Sequence, residues 1–166
     1  MHFVGGVIQG DEMMDELVQK SIQSSVLCWL ATVDASGQPH VSPKEVFAVV
    51  DAQHVVIAHI ASPHTVRNIA SNPKVCLSFV DVFVQKGFKL QGHARMVASG
   101  DADYSALAAP LLAMVGGKFK IPAVIVVQVQ AVDPILAPSY RFYPQDTTEQ
   151  GQVDAAMRRY GVKPRE

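Results

Sequence analysis

The sequence predicts a mainly β, α+β chain: an antiparallel barrel of about six or seven strands with two or three accessory helices. Three observations predict it. Short apolar or alternating runs recur between turn signals along most of the chain. Few connections are long enough for parallel crossovers. No GxGxxG follows the first strand, so a doubly wound dinucleotide-binding sheet has no support.

At 166 residues the chain reads as a single domain over 1–166, a size that buries about 70% of the unfolded surface. Hydrophobic residues make up 49% and charged residues 17%, which suits a packed core and argues against disorder. Net charge is −1, from 14 Lys+Arg and 15 Asp+Glu. The cations are spread along the chain, so no nucleic-acid partner is implied. Cys28 and Cys76 sit in apolar runs, without CxxC or metal-ligand spacing. That pattern fits a reduced, cytoplasmic setting and no metal site. Early acidic residues (Asp11, Glu12, Asp15, Glu16) and the lack of a long apolar run argue against a signal peptide and a membrane span.

The elements follow in order. Residues 1–10 read as a lead-in. Asp11 caps a helix over 12–23 whose Met13, Met14, Leu17, Val18, Ser21 and Ile22 form an apolar stripe, within an N-terminal helical region of about 11–24. The barrel spans about 25–143. Val26–Val33, the turn Asp34–Gly37 and a second arm to Val50 form a hairpin. Pro43 marks an edge or bulge in that arm, and Lys44-Glu45 interrupts it either as a solvated pair or as a bulged ligand edge. A strand over 53–60 enters a helix that Ser62 caps, Pro63 starts and Asn72-Pro73 stops. Its first turn carries His64 and Thr65, with Arg67 just behind; a helix start offers free N–H groups and partial positive charge, which suit a phosphate.

Strand 74–84 alternates, Gln85-Lys86-Gly87 turns, and 88–97 alternates again with Lys89, Gln91, His93 and Arg95 on one face. A helix over about 102–115 is bent or split by Pro110 and ended by Gly116-Gly117. Residues 122–132 form the most apolar, central strand, broken by Asp133-Pro134. An extended arm over 135–143 carries Tyr140, Phe142 and Tyr143. A short basic helix over about 151–160 closes the chain.

The order of these motifs resembles the pyridoxamine 5′-phosphate oxidase-like, FMN-binding split β-barrel family. The likeness rests on Leu30–Val33 with Gly37–Pro43, on Asn68-Ile69 with Asn72–Val75, on Gly87–Ala94 and on Ala123–Val129. The resemblance implies a split barrel and FMN at a homodimer interface lined by both subunits. It places Ser42, Pro43, Lys44 and Glu45 beside the flavin and its ribityl chain, and Ala58, His59 and Ile60 on the adjacent strand. His64 and Thr65 fall on the phosphate turn, Arg67 and Asn68 follow, and Gln85 and Lys86 lie on a segment that reaches the partner's flavin. The strand 123–129 and the aromatic arm 140–143 offer surface for the dimer.

Two departures stand out. His64-Thr65 occupies positions where relatives often carry Arg and Lys, so Lys44 and Arg67 are the compensating cations. The family's arginine- and histidine-rich substrate motif near the C-terminus is not visible, which argues against pyridoxal phosphate synthesis. The implied function is a flavin-dependent oxidoreductase acting on a small-molecule substrate or electron donor. The alternatives are a non-enzymatic FMN carrier or a barrel that takes F420 or haem. No catalytic residue is nominated; His59 and His64 are the proton-transfer candidates because histidine titrates near neutrality.

Overall fold

A computed structural model describes residues 13–164. The lead-in and the Asp11 cap lie outside the described residues. Helix α1 is Glu16–Ser24, capped by Asp15, whose carboxylate accepts from the Val18 N–H at 2.8 Å. The start is later than the apolar stripe suggests because Asp15 takes the cap position with extended backbone (φ −67, ψ 176), and the Met14 N–H ahead of it donates to the Ala52 carbonyl at 2.9 Å.

Seven strands follow: β1 (Cys28–Val33), β2 (Pro39–Lys44), β3 (Phe47–Asp51), β4 (His54–His59), β5 (Lys74–Asp81), β6 (Lys86–Ala98) and β7 (Ala123–Leu136). Helices α2 (Pro63–Ser71) and α3 (Tyr104–Val115) join β4 to β5 and β6 to β7. Helices α4 (Pro138–Phe142) and α5 (Glu149–Tyr160) end the chain. All pairs are antiparallel, in the order β2-β1-β5-β6-β7-β4-β3.

The expected long arm over 38–50 is two strands. β2 pairs with β1, β3 pairs with β4, and these strands lie at opposite edges of the sheet. Only Glu45 and Val46 connect them. Two residues reach roughly 7 Å, so the sheet must curl until its edges meet at this corner. It does so without closing: at the corner the Val46 carbonyl accepts from Ala58 of β4 at 2.9 Å, and no β2–β3 ladder forms. The result is a split barrel.

Other details differ from the sequence reading. The β5–β6 turn is 82–85, with Gln85 at φ 58, so Lys86 and Gly87 already belong to β6. Gly87 is needed for packing: a Cβ there would sit 1.9 Å from the Phe79 carbonyl oxygen. Helix α3 runs unbroken through Pro110, held by Ala108, Leu111 and Val115 against the sheet. β7 continues through Asp133-Pro134 to Leu136. Its pairing with β4 ends at Gln128, so beyond that point one side of β7 is open and the proline's missing donor costs no ladder bond. The expected extended arm after 136 is the short helix α4, and the closing helix begins earlier, at Glu149 behind its Thr148 cap.

The main core joins α1 to the inner faces of β1, β5, β6 and β7, with Met14, Ile22, Leu30, Leu77, Phe79 and Leu90 fully or almost fully buried. A second cluster packs α3 on β4 and β7. The apolar side chains of 124–127 and 129 are spent in these cores, so that strand offers no free surface for a dimer. The exposed apolar strip lies instead on the outer face of the β1–β2 edge. Trp29 sits opposite Pro43 and Ala31 opposite Val41, with Trp29 47% and Val41 54% exposed. The aromatic arm is partly exposed, at Phe142 and Tyr143. No helix among the described residues is long and apolar enough to cross a membrane.

Candidate functional site

Strand periodicity builds one wall of the site. Alternation along β2 turns Val41 and Pro43 outward and His40, Ser42 and Lys44 to the other face. Lys44 ends the strand at the curled corner and is only 7% exposed. Its Nζ donates to Ser62 Oγ at 2.5 Å. Burial pulls its pKa down, and the neighbouring group is the Cys28 thiol. That thiol is itself buried and pushed up to about 12, so it stays neutral and gives Lys44 no counter-charge.

Helix α2 supplies the second wall. Pro63 starts it and Asn72 ends it, as the local sequence requires, but the Ser62 hydroxyl is not a cap. It is occupied as the acceptor for Lys44, so the first-turn N–H groups keep their positive end uncapped. There is no acidic residue in that turn. Thr65 is fully buried, 3.3 Å from Ser42 Oγ, which ties the helix to β2. Asn68 is buried and its Nδ2 donates to Thr32 Oγ1 at 3.0 Å, which ties it to β1. Outside, Arg67 lies 2.9 Å from His64 Nδ1, and the His64 ring is 5.6 Å from that of His40.

The end of β4 supplies the third wall. Ala58 packs inward, Ile60 is exposed, and His59 is half-buried. The His59 Nδ1 is buried with no hydrogen-bond partner among the described residues. Burial and the charge of Lys44 both pull its pKa down, so the ring is neutral at pH 7. Lys44 and Arg67 take part in none of the ion pairs among the described residues. A buried ammonium, an uncapped helix start, a nearby guanidinium and an orphaned imidazole nitrogen together form a cradle for an anion.

The structure therefore gathers Ser42, Lys44, His59, His64, Thr65, Arg67 and Asn68 around the α2 start. Pro43 faces away from them and Glu45 is exposed at the corner. Gln85 and Lys86 are not part of this cluster. His59 is level with Ala123 and Ala98, whereas Lys86 is level with Leu136. They lie at opposite ends of the β6–β7 ladder, and a 13-residue strand spans roughly 40 Å if straight. Lys86 instead donates to Glu149 at 2.6 Å and lies 4.6 Å above the Tyr140 ring. A cavity of about 1000 Å³ opens there, lined by Leu17, Lys86, Phe88, Leu136 and Arg141 among others. Sequence reasoning missed His40 and the role of Ser62. The period-two alternation of β2 was the signal that could have grouped His40 with Lys44; nothing local ties Ser62 to Lys44.

The sequence profile of the pyridoxamine 5′-phosphate oxidase family matches residues 14–136. The chain belongs to this family. HupZ of Group A Streptococcus is 28% identical, over 72% of this chain and 92% of its own, with a TM-score of 0.63. An FMN-binding protein of Syntrophomonas wolfei subsp. wolfei is 12% identical, over 76% and 88%, with a TM-score of 0.63. HutZ, the haem storage protein of Vibrio cholerae, is 20% identical, over 72% and 92%, with a TM-score of 0.59. At these identities the last two show the fold alone. A search of curated proteins found no match.

Proposed function

We propose that this chain is a single-domain, cytoplasmic, FMN-binding protein that works as a homodimeric oxidoreductase on a small molecule. The observation that carries the reading is the uncompensated cationic cradle at the start of α2. It suits the terminal phosphate of FMN. Lys44, the first-turn N–H groups and His59 hold that phosphate, Ser62 fixes the lysine, and Thr65 and Asn68 fix the helix against β2 and β1. Arg67 and His64 guard the mouth. When bound, the flavin supplies hydride and electron transfer, while the chain supplies position and electrostatics.

The separation of the two ends supports the dimer. Gln85 and Lys86 are too far along the ladder to meet their own chain's cradle, so they serve the site of a second copy. The exposed Trp29–Val41 strip is surface for that copy.

The test is visible absorbance before and after adding FMN and desalting. Two flavin bands at about one FMN per chain support the reading; a protein that releases all added FMN overturns it. Turnover of NADH or NADPH with an acceptor separates an enzyme from a carrier. One observation favours a second reading, haem binding: three histidines (His40, His59 and His64) lie at the cradle, and its cations also suit carboxylates. A Soret band without flavin uptake selects haem, and uptake of F420 alone selects the deazaflavin.

A further inference from the structure

We propose that His59 makes the cradle proton-linked: it takes up a proton when a terminal phosphate monoester binds and returns it when the ligand leaves. The inference deepens, and rests on, the anion-binding reading above. Its first basis is geometric. The His59 Nδ1 is buried and meets no donor or acceptor among the described residues. A buried polar atom of this kind is completed by a ligand, water or ion. The ring stands at the end of β4, and the chain runs directly from it through Ser62 into the start of α2. Lys44, which holds Ser62, is close enough to act on the ring electrostatically.

The second basis is the charge around the ring. Lys44 on β2 is the charged group whose field reaches it. On β7 its partner is Ala123, which is apolar. Helix α3 packs on β4 through Val56 and Ala58 with Ala108 and Leu111. The loop after α3 carries Lys118 and Lys120, α2 carries His64 and Arg67, and one strand beyond Ala123 the β6–α3 turn carries Asp101, whose carboxylate is engaged by the Ala98 N–H at 2.8 Å. Glu45 at the β2–β3 corner is exposed. The empty cradle is thus cationic around a neutral imidazole. A phosphate monoester brings one to two negative charges and, with a second pKa of about 6, a proton of its own to share. Its charge offsets the field of Lys44 and stabilises the imidazolium.

The sign follows. The His59 pKa is higher in the complex than in the empty protein, so the complex holds more protons. Affinity falls as pH rises through the bound-state pKa, by up to about tenfold per pH unit. A monoester gains this coupling. Riboflavin, which has no phosphate, does not.

The experiment is calorimetry of FMN binding at pH 7 in buffers of different ionisation enthalpy, with riboflavin as control. It is paired with 15N spectra of histidine-labelled wild type, with and without FMN or inorganic phosphate. Expected are net proton uptake with FMN, none with riboflavin, and a His59 Nδ1 signal that moves from the neutral to the protonated position. His59→Gln weakens FMN binding and loses the proton uptake. The spectra on wild type keep the test valid should that variant fold poorly. FMN binding without proton uptake and with His59 still neutral overturns this inference and leaves the cofactor reading standing. Failure of wild type to bind either FMN or phosphate overturns both.

Discussion

Replacing Lys44 by methionine moves ligand affinity and stability of the empty protein in different directions. Lys44 is 7% exposed and, among the described residues, has no ion-pair partner and makes one side-chain hydrogen bond, to Ser62. A hydrogen bond to a charged group contributes about 1.5–3 kcal/mol, so Lys44→Met weakens FMN binding by roughly 10- to 150-fold. In the empty protein the same change removes a buried charge and keeps the volume. The relief of desolvation offsets the lost charged bond to Ser62, about 1.5–3 kcal/mol. The melting temperature is therefore level with wild type or above it.

The pH dependence gives an independent check. Burial lowers the Lys44 pKa from its ordinary value of 10.5. Below that value the unfolded chain binds more protons than the folded one, so this residue makes stability rise with pH as 10.5 is approached. Lys44→Met loses that rise. The assays are fluorescence titration with FMN and thermal melts of FMN-free protein across neutral to alkaline pH. Unchanged FMN affinity together with a lower melting temperature would refute the reasoning and make Lys44 a structural lysine.

Other outcomes follow from the same contacts. Asn68→Ala leaves the buried Thr32 hydroxyl without its donor and costs about 1–3 kcal/mol, which denaturant unfolding measures; a loss below the experimental error sinks the anchoring role of Asn68. Gly92→Ala puts a Cβ 2.2 Å from the Gln128 carbonyl oxygen, backbone against backbone. It destabilises by at least about 1–3 kcal/mol, read from the same unfolding curves, and a neutral effect would show that the β6–β7 bulge yields. Trp29→Glu sets a charge on the exposed apolar strip beside Pro43. It shifts sedimentation toward monomer and weakens FMN retention, whereas an intact dimer would place the interface elsewhere.

Much of the fold is legible because its signals are local. Ser62-Pro63 and Asn72-Pro73 bound α2 within a residue, since capping preference and the conformation before proline act over one or two residues. Strand existence is equally readable from alternation. Failures arise where a distant contact decides. The Met14 N–H goes to the Ala52 carbonyl ahead of the Asp15 cap, and β7 runs through Pro134 because β4 has already ended beside it. The arm over 38–50 looks continuous, yet its halves pair with β1 and β4 at opposite edges.

The sequence by itself determined the antiparallel β class, the helix starts and stops that proline and its neighbours dictate, the family, and the presence of a cation and histidines near one phosphate-like turn. Only the tertiary structure decided what those residues do together. Curling of the sheet at Glu45-Val46 accompanies the meeting of Lys44 with Ser62, 18 residues on, and folding against β1 and β2 committed Thr65 and Asn68 to holding the helix. The same curvature set Lys86 at the far end of the ladder from His59. Such outcomes depend on non-local pairing and burial, which no window of neighbouring residues encodes.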